Sequence, residues 1–141
     1  LWNLGYAVDT LETAISWDIV TPTMHAIEKS IREALTPGNE RVHVFSHLSH
    51  VYPSGTSIYT TFIFRLSEPP RNTLDTWQRL KHAARRTIAA AGGTITHQHG
   101  IGADHRRYLT AEKGEIGVEV LQKIFDYFDP NRRMNPDKLL P

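Results

Sequence analysis

Apolar residues recur along this chain with two periods. Over residues 17–38, "WDIVTPTMHAIEKSIREALTPG", Val20, Met24, Ile27, Ile31 and Leu35 fall at helical spacing. That predicts an amphipathic helix, with Thr21 and Pro22 as N-cap and first residue and Pro37-Gly38 as the stop. A second stripe, Leu74, Trp77, Ala84, Ile88 and Ala91, predicts a helix from an Asn72 N-cap to Gly92, its Arg79, Arg85 and Arg86 forming a solvated side. A third helix is expected over about residues 112–128. Val118, Leu121, Ile124, Phe125 and Phe128 turn inward there, and Asp129-Pro130 ends it. The tail "NRRMNPDKLLP" reads as an extended arm.

Elsewhere the period drops to two. "DTLETAIS" has the Thr and Ile content of a short strand, and "RVHVFSHLSHVYPSGTSIYTTFIFRL" holds two β-rich runs around Pro53-Ser54-Gly55, an antiparallel hairpin. Its apolar sets, Val42, Val44, Leu48 and Ile58, Phe62, Phe64, Leu66, are all even-numbered. Paired residues share a face, so the loop should hold an odd number of residues, and a three-residue loop pairs Tyr52 with Thr56. This register puts His43, His47, Ser49, Tyr59, Thr61 and Arg65 on the opposite, polar face, with Tyr59 across from Ser49 and His47 across from Thr61. Such a face is either a solvated sheet surface or a site.

After the second helix, "TITHQHG" has the β-branched residues of a last strand. The order is then β-α-β-β-α-β: an α+β, ferredoxin-like antiparallel sheet with helices on one face, followed by the C-terminal helix and arm.

Composition narrows the function. The 141 residues suit one domain, and 16 Lys plus Arg against 15 Asp plus Glu leave a net charge of +1, so no global field attracts nucleic acid or an anionic membrane. With no cysteine, thiolate catalysis and thiolate metal sites are excluded and a cytoplasmic setting is favoured. No apolar run suits a membrane span, and the start, "LWNLGYAVDT", has neither a basic region nor a Met, as expected of a piece from within a longer protein.

The densest chemistry is "THQHGIGADHRRY", residues 96–108. On a strand, His97 and His99 share one side and Gln98 faces away. The pair could supply two metal ligands, although the nearest carboxylate, Asp104, lies beyond a glycine turn. It could instead work as general acid and base or as oxyanion donors, Gly100 and Gly102 letting backbone approach a planar ligand. It could also simply cap a turn and fill a polar core. Arg106 and Arg107 could hold a phosphate or carboxylate, or pair with Asp104 or Glu112.

"GGTITHQHGIGADHRRYL" followed by a helix and "DPNRRMNPDKLLP" resembles the C-terminal segment of FAD-linked oxidases of the vanillyl-alcohol oxidase type. "SHVYPSGTSIYTTFIF" is similar, within that family, to its alkyldihydroxyacetonephosphate synthase branch. The resemblance implies that residues 1–141 form a cap whose sheet covers the flavin and substrate, with FAD held mainly by an N-terminal domain upstream. It implies catalytic roles for Tyr59, His97 and His99, and a substrate- or flavin-facing placement for His47, Gln98, Gly100 and Arg106, with no metal. The implied reaction exchanges an acyl group for a fatty alcohol through a flavin N5 adduct, making an ether lipid. Small phosphate or hydroxy-acid substrates, a homodimer and peripheral membrane contact through the lipid substrate are implied as well. That branch carries three consecutive histidines where this chain has His97-Gln98-His99, and "NPGK" where it has "NPDK". The alternatives are the cap of an FAD-dependent D-2-hydroxy-acid dehydrogenase, whose segment is closer to "GEHGIG", and a free-standing ferredoxin-like module binding a metal or anion.

Overall fold

The computed structural model describes all 141 residues. Its main elements are β1 (Tyr6–Ser16), α1 (Val20–Leu35), β2 (His43–Val51), β3 (Gly55–Arg65), α2 (Pro70–Ala90) and α3 (Leu109–Phe128). The three strands form one antiparallel sheet in the order β1-β3-β2. Odd positions of β1 and even positions of β3 point to the same side, where Leu11, Phe62 and Phe64 meet Ile27, Ile31 and Leu35 of α1 and Leu80, Ala84 and Ile88 of α2. Each such Leu, Ile or Phe side chain contributes about 1.5–3 kcal/mol by leaving water. This is the α+β arrangement expected from the two periodicities.

The expected fourth strand is absent. Past Ile95 the backbone enters left-handed conformations at Gln98, Gly100 and Gly102, with φ of 59°, 76° and 54°. No strand can continue through these. A short latch stands in its place: Thr94 N–H donates to the Ala14 carbonyl at 3.1 Å, and Thr94 Oγ1 accepts from Ala14 N–H at 2.8 Å. Thr13 Oγ1 donates to the Thr94 carbonyl at 2.7 Å. The pattern therefore stops at β-α-β-β-α, with a loop docked on the free edge of β1.

The hairpin keeps the expected parity by a different device. Paired Tyr52 and Gly55 backbone bonds, 2.8 and 3.3 Å, close a two-residue loop of Pro53 and Ser54. A β-bulge between Leu48 and Val51 then adds the odd residue on β2. Val51 rather than Tyr52 pairs with Thr56, and His47 pairs with Tyr59 rather than Thr61.

Other expectations change with burial. Helix α2 begins at Pro70, so Asn72 lies inside its first turn, where its side chain donates to the Glu68 carbonyl. Arg85 is buried rather than solvated, because the loop after α2 folds over it and takes its Nη1–H at the Asp104 carbonyl, 2.7 Å away. Leu48, beside the bulge on an edge strand, Leu74, Ile124 and Phe128 are exposed. α3 packs through Leu109, Val118, Leu121 and Phe125 onto a small second core with Ile95, Tyr108 and Leu140, and Gly114 (φ 68°) kinks it. The tail is a series of turns rather than an extended arm, with Arg132, Asn135, Asp137 and Leu139 at positive φ.

Candidate functional site

The sheet face opposite the two packed helices carries one row across all three strands: Glu12 pairs with Tyr59, which pairs with His47. The Tyr59 ring stacks on His47 with centroids 5.2 Å apart, and its hydroxyl donates to Thr10 Oγ1 at 3.1 Å. Parity alone would send His50 to the core side. The bulge turns it to this face, where its Nδ1 meets Glu12 Oε1 at 3.2 Å, with Ser57 Oγ 3.3 Å away.

The glycine-rich loop completes the cluster. Thr94 fixes it to β1, and Glu112 of α3 accepts the Ile95 N–H at 2.9 Å. The left-handed Gln98 then folds the chain so that His97 Nδ1 lies 3.3 Å from Glu12 Oε1 and His99 Nε2 lies 3.2 Å from Oε2. The two imidazoles converge, as expected, but through a turn rather than a strand. His97 Nε2 pairs with the Tyr52 hydroxyl at 2.9 Å, and His99 presents its ring to the edge of Tyr59, 5.7 Å between centroids.

Glu12 is the hub. Its side chain is 2% exposed, yet three imidazoles surround its two oxygens. Burial by itself would raise its pKa. Hydrogen bonds from Ser57 and His50 and the charges of His97 and His99 outweigh that and hold it below the ordinary glutamate value. The carboxylate therefore stays ionised in a nearly dry site. His97 Nδ1 is buried and makes no hydrogen bond, although Glu12 Oε1 lies 3.3 Å away. Glu12, His50 and His97 also bring donor atoms within 4.8 Å of one another, a grouping able to hold a cation. Asp104, the carboxylate nearest in sequence, lies instead against Arg85.

Of the residues singled out from the sequence, Tyr59, His47, His97 and His99 share this face. Gln98 and Gly100 are exposed in the turn between and after the histidines. Arg106 is elsewhere, donating to the Asp137 carbonyl of the tail at 3.1 Å. Sequence reasoning missed Glu12, His50 and Tyr52. The signal for Glu12 was present: in β1 the odd-numbered Leu11, Thr13 and Ile15 are buried toward the core, which leaves a lone carboxylate on the polar face. His50 carried no such signal, because a bulge cannot be read from parity.

Residues 1–139 match the family described as FAD linked oxidases, C-terminal domain. The alkyldihydroxyacetonephosphate synthase of Trypanosoma brucei brucei is 29% identical over 137 residues, covering 97% of this chain and 22% of that protein. The mitochondrial D-lactate dehydrogenase [cytochrome] 1 of Saccharomyces cerevisiae is 49% identical over 49 residues, 35% of this chain and 8% of the relative. Among solved structures, an alkyldihydroxyacetonephosphate synthase matches with a TM-score of 0.58 at 18% identity, over 96% of this chain and 21% of that one. The chain thus spans about a fifth of the length of the first relatives it matches.

Proposed function

Because the chain belongs to the FAD linked oxidases as their C-terminal domain, we propose that its open sheet face caps flavin and substrate in an enzyme of the alkyldihydroxyacetonephosphate synthase type. Membership implies FAD as cofactor and an N-terminal FAD-binding domain as partner. The observation that carries the reading is the convergence of His97 and His99 on buried Glu12 beside Tyr59, on the face that α1 and α2 leave uncovered.

The residues fit a flavin ring but not the whole dinucleotide. The face offers Tyr59, His47 and His99 to a planar group, whereas the Gly92-Gly93 pair follows a helix and builds no phosphate-cradling strand-turn. When bound, FAD supplies the electron sink of the reaction.

The chain's own residues do the rest. Bound acyl-dihydroxyacetone phosphate loses a proton beside its carbonyl, and His97 or His99 takes it. Glu12 offsets the imidazolium charge that results. Tyr59 holds or protonates the departing acyl oxygen before a fatty alcohol replaces it. Gln98 stands where that branch has its middle histidine and cannot titrate, so proton transfer falls to the flanking pair. Arg106 is committed to the tail, so the substrate phosphate needs another arginine. A homodimer and peripheral membrane contact through the lipid substrate belong to the same proposal.

A second reading, a D-2-hydroxy-acid dehydrogenase cap, is favoured by the 49% identity to the yeast D-lactate dehydrogenase over 49 residues. The deciding experiment is an anaerobic flavin spectrum of the full-length protein before and after acyl-dihydroxyacetone phosphate, with D-lactate for comparison. Bleaching by the phosphate ester, with ether product and no electrons passed to an acceptor, supports the first reading. Bleaching by the hydroxy acid alone replaces it with the second.

A further inference from the structure

We infer that Glu12, His97 and Tyr52 form a proton relay, with the Tyr52 phenol as its substrate-facing end and Glu12 as a positioning residue. The inference rests on the proposed proton abstraction and adds to it a residue that neither the sequence patterns nor the comparisons single out.

Three observations meet here. First, the imidazole of His97 is held between a carboxylate and a phenol, Nδ1 at 3.3 Å from Glu12 Oε1 and Nε2 at 2.9 Å from the Tyr52 hydroxyl. A lone pair on Nδ1 facing an ionised, buried carboxylate is repelled, so the neutral ring carries its hydrogen on Nδ1 and leaves Nε2 as acceptor. The Tyr52 O–H then donates to Nε2. In hydrolase triads a buried carboxylate selects the tautomer of the base through a hydrogen bond; here Glu12 acts on Nδ1 through its charge alone, and a phenol is the third member.

Second, the two tyrosines of the hairpin differ in what they can offer. The Tyr59 hydroxyl is already donating to Thr10 Oγ1. Tyr52 has His97 as its hydroxyl partner, and the residue is 38% exposed. Third, the backbone of Tyr52 is fixed on both sides. Its N–H and carbonyl close the hairpin loop with Gly55, and the carbonyl also accepts from Trp17 Nε1 at 3.0 Å.

The step balances as a proton relay. Tyr52 oxygen takes the proton from the substrate carbon as its own proton passes to His97 Nε2, and the carbon keeps the electron pair. The imidazolium that forms is offset by Glu12, whose other partners are His50 Nδ1, His99 Nε2 and the Ser57 hydroxyl.

The test uses the full-length flavoprotein with 15N-labelled histidine and the Tyr52→Phe variant, which keeps the ring and its packing. The expected result has two parts. His97 shows a protonated Nδ1 and an Nε2 signal that shifts in Tyr52→Phe, and the variant turns over acyl-dihydroxyacetone phosphate about 100-fold more slowly with KM little changed. Glu12→Gln should move the His97 tautomer signal, with part of the turnover returning in Glu12→Asp. Two results overturn the relay: Tyr52→Phe retaining at least half the native kcat, or His97 protonated at Nε2 when neutral. If the native protein turns over neither the phosphate ester nor a hydroxy acid, the functional reading fails instead, and the tautomer alone decides the relay.

Discussion

Glu12 and His105 are two buried titratable residues, the first held ionised and the second held neutral. Glu12 binds its proton more weakly folded than unfolded, because its hydrogen bonds and the nearby imidazole charges outweigh burial. Its stabilisation is therefore fully present above the ordinary glutamate value, near 4.5, and is lost as pH falls through the lower folded value. In Glu12→Gln, the acid limb of the denaturation profile should flatten, as urea midpoints below pH about 4.5 would show. His105 is pushed down to about 4, first by burial and then by the Arg85 charge. Its unfolded form takes up a proton first, so the stability it contributes is complete above pH about 6.5 and drains as pH falls toward about 4. His105→Asn, which keeps a donor for the Ile101 carbonyl that His105 Nδ1 faces at 3.2 Å, should reduce the slope between pH 7 and 5 in the same assay. Periodicity identifies neither behaviour, because both come from neighbours distant in sequence.

At the scale of elements, the latch and the hairpin turn carry the site. Thr94→Val leaves the Ala14 N–H without its 2.8 Å acceptor, a loss of about 1–3 kcal/mol. It also loosens the segment that delivers His97 and His99. The variant should melt earlier and lose turnover more steeply than stability, read by calorimetry beside a kinetic assay. Gly55 is constrained differently: an added Cβ would sit 2.1 Å from the Ile15 carbonyl oxygen. Gly55→Ala must therefore push β1 and β3 apart, and hydrogen exchange should show the end of β1 opening first. The three helices, the hairpin and its facing parity were legible, because amphipathic spacing is local and survives packing. The loop length was not. A two-residue turn with a bulge and a three-residue turn without one satisfy the same parity, and only the ladder of backbone bonds separates them.

At the scale of the molecule, helices pack one sheet face, and on the other only the glycine-rich loop docks. α1 and α2 cover the apolar side, while the Glu12–Tyr59–His47 row lies under no helix of this chain. No helix is long and apolar enough to cross a membrane. With no phosphate-cradling segment of its own, the 141-residue chain should not retain FAD, whereas the full-length protein should. Tight one-to-one FAD binding by these residues alone, in a fluorescence titration, would refute the division of labour proposed for the two parts.

The sequence by itself determined the α+β class, the inward stripes of α1 and α2, the polar sheet face and the presence of two histidines flanking Gln98 beside a glycine turn. Those follow from side-chain periods of 3.6 and 2, which neighbouring residues alone define. The tertiary structure decided that His97 and His99 meet a buried carboxylate, that His50 joins them, that Tyr52 rather than Tyr59 caps an imidazole, and that the last expected strand is a loop. These contacts join residues between 38 and 87 positions apart. Strand register, one bulge and three left-handed residues set them, and none of these leaves a mark in the local pattern of apolar and polar side chains.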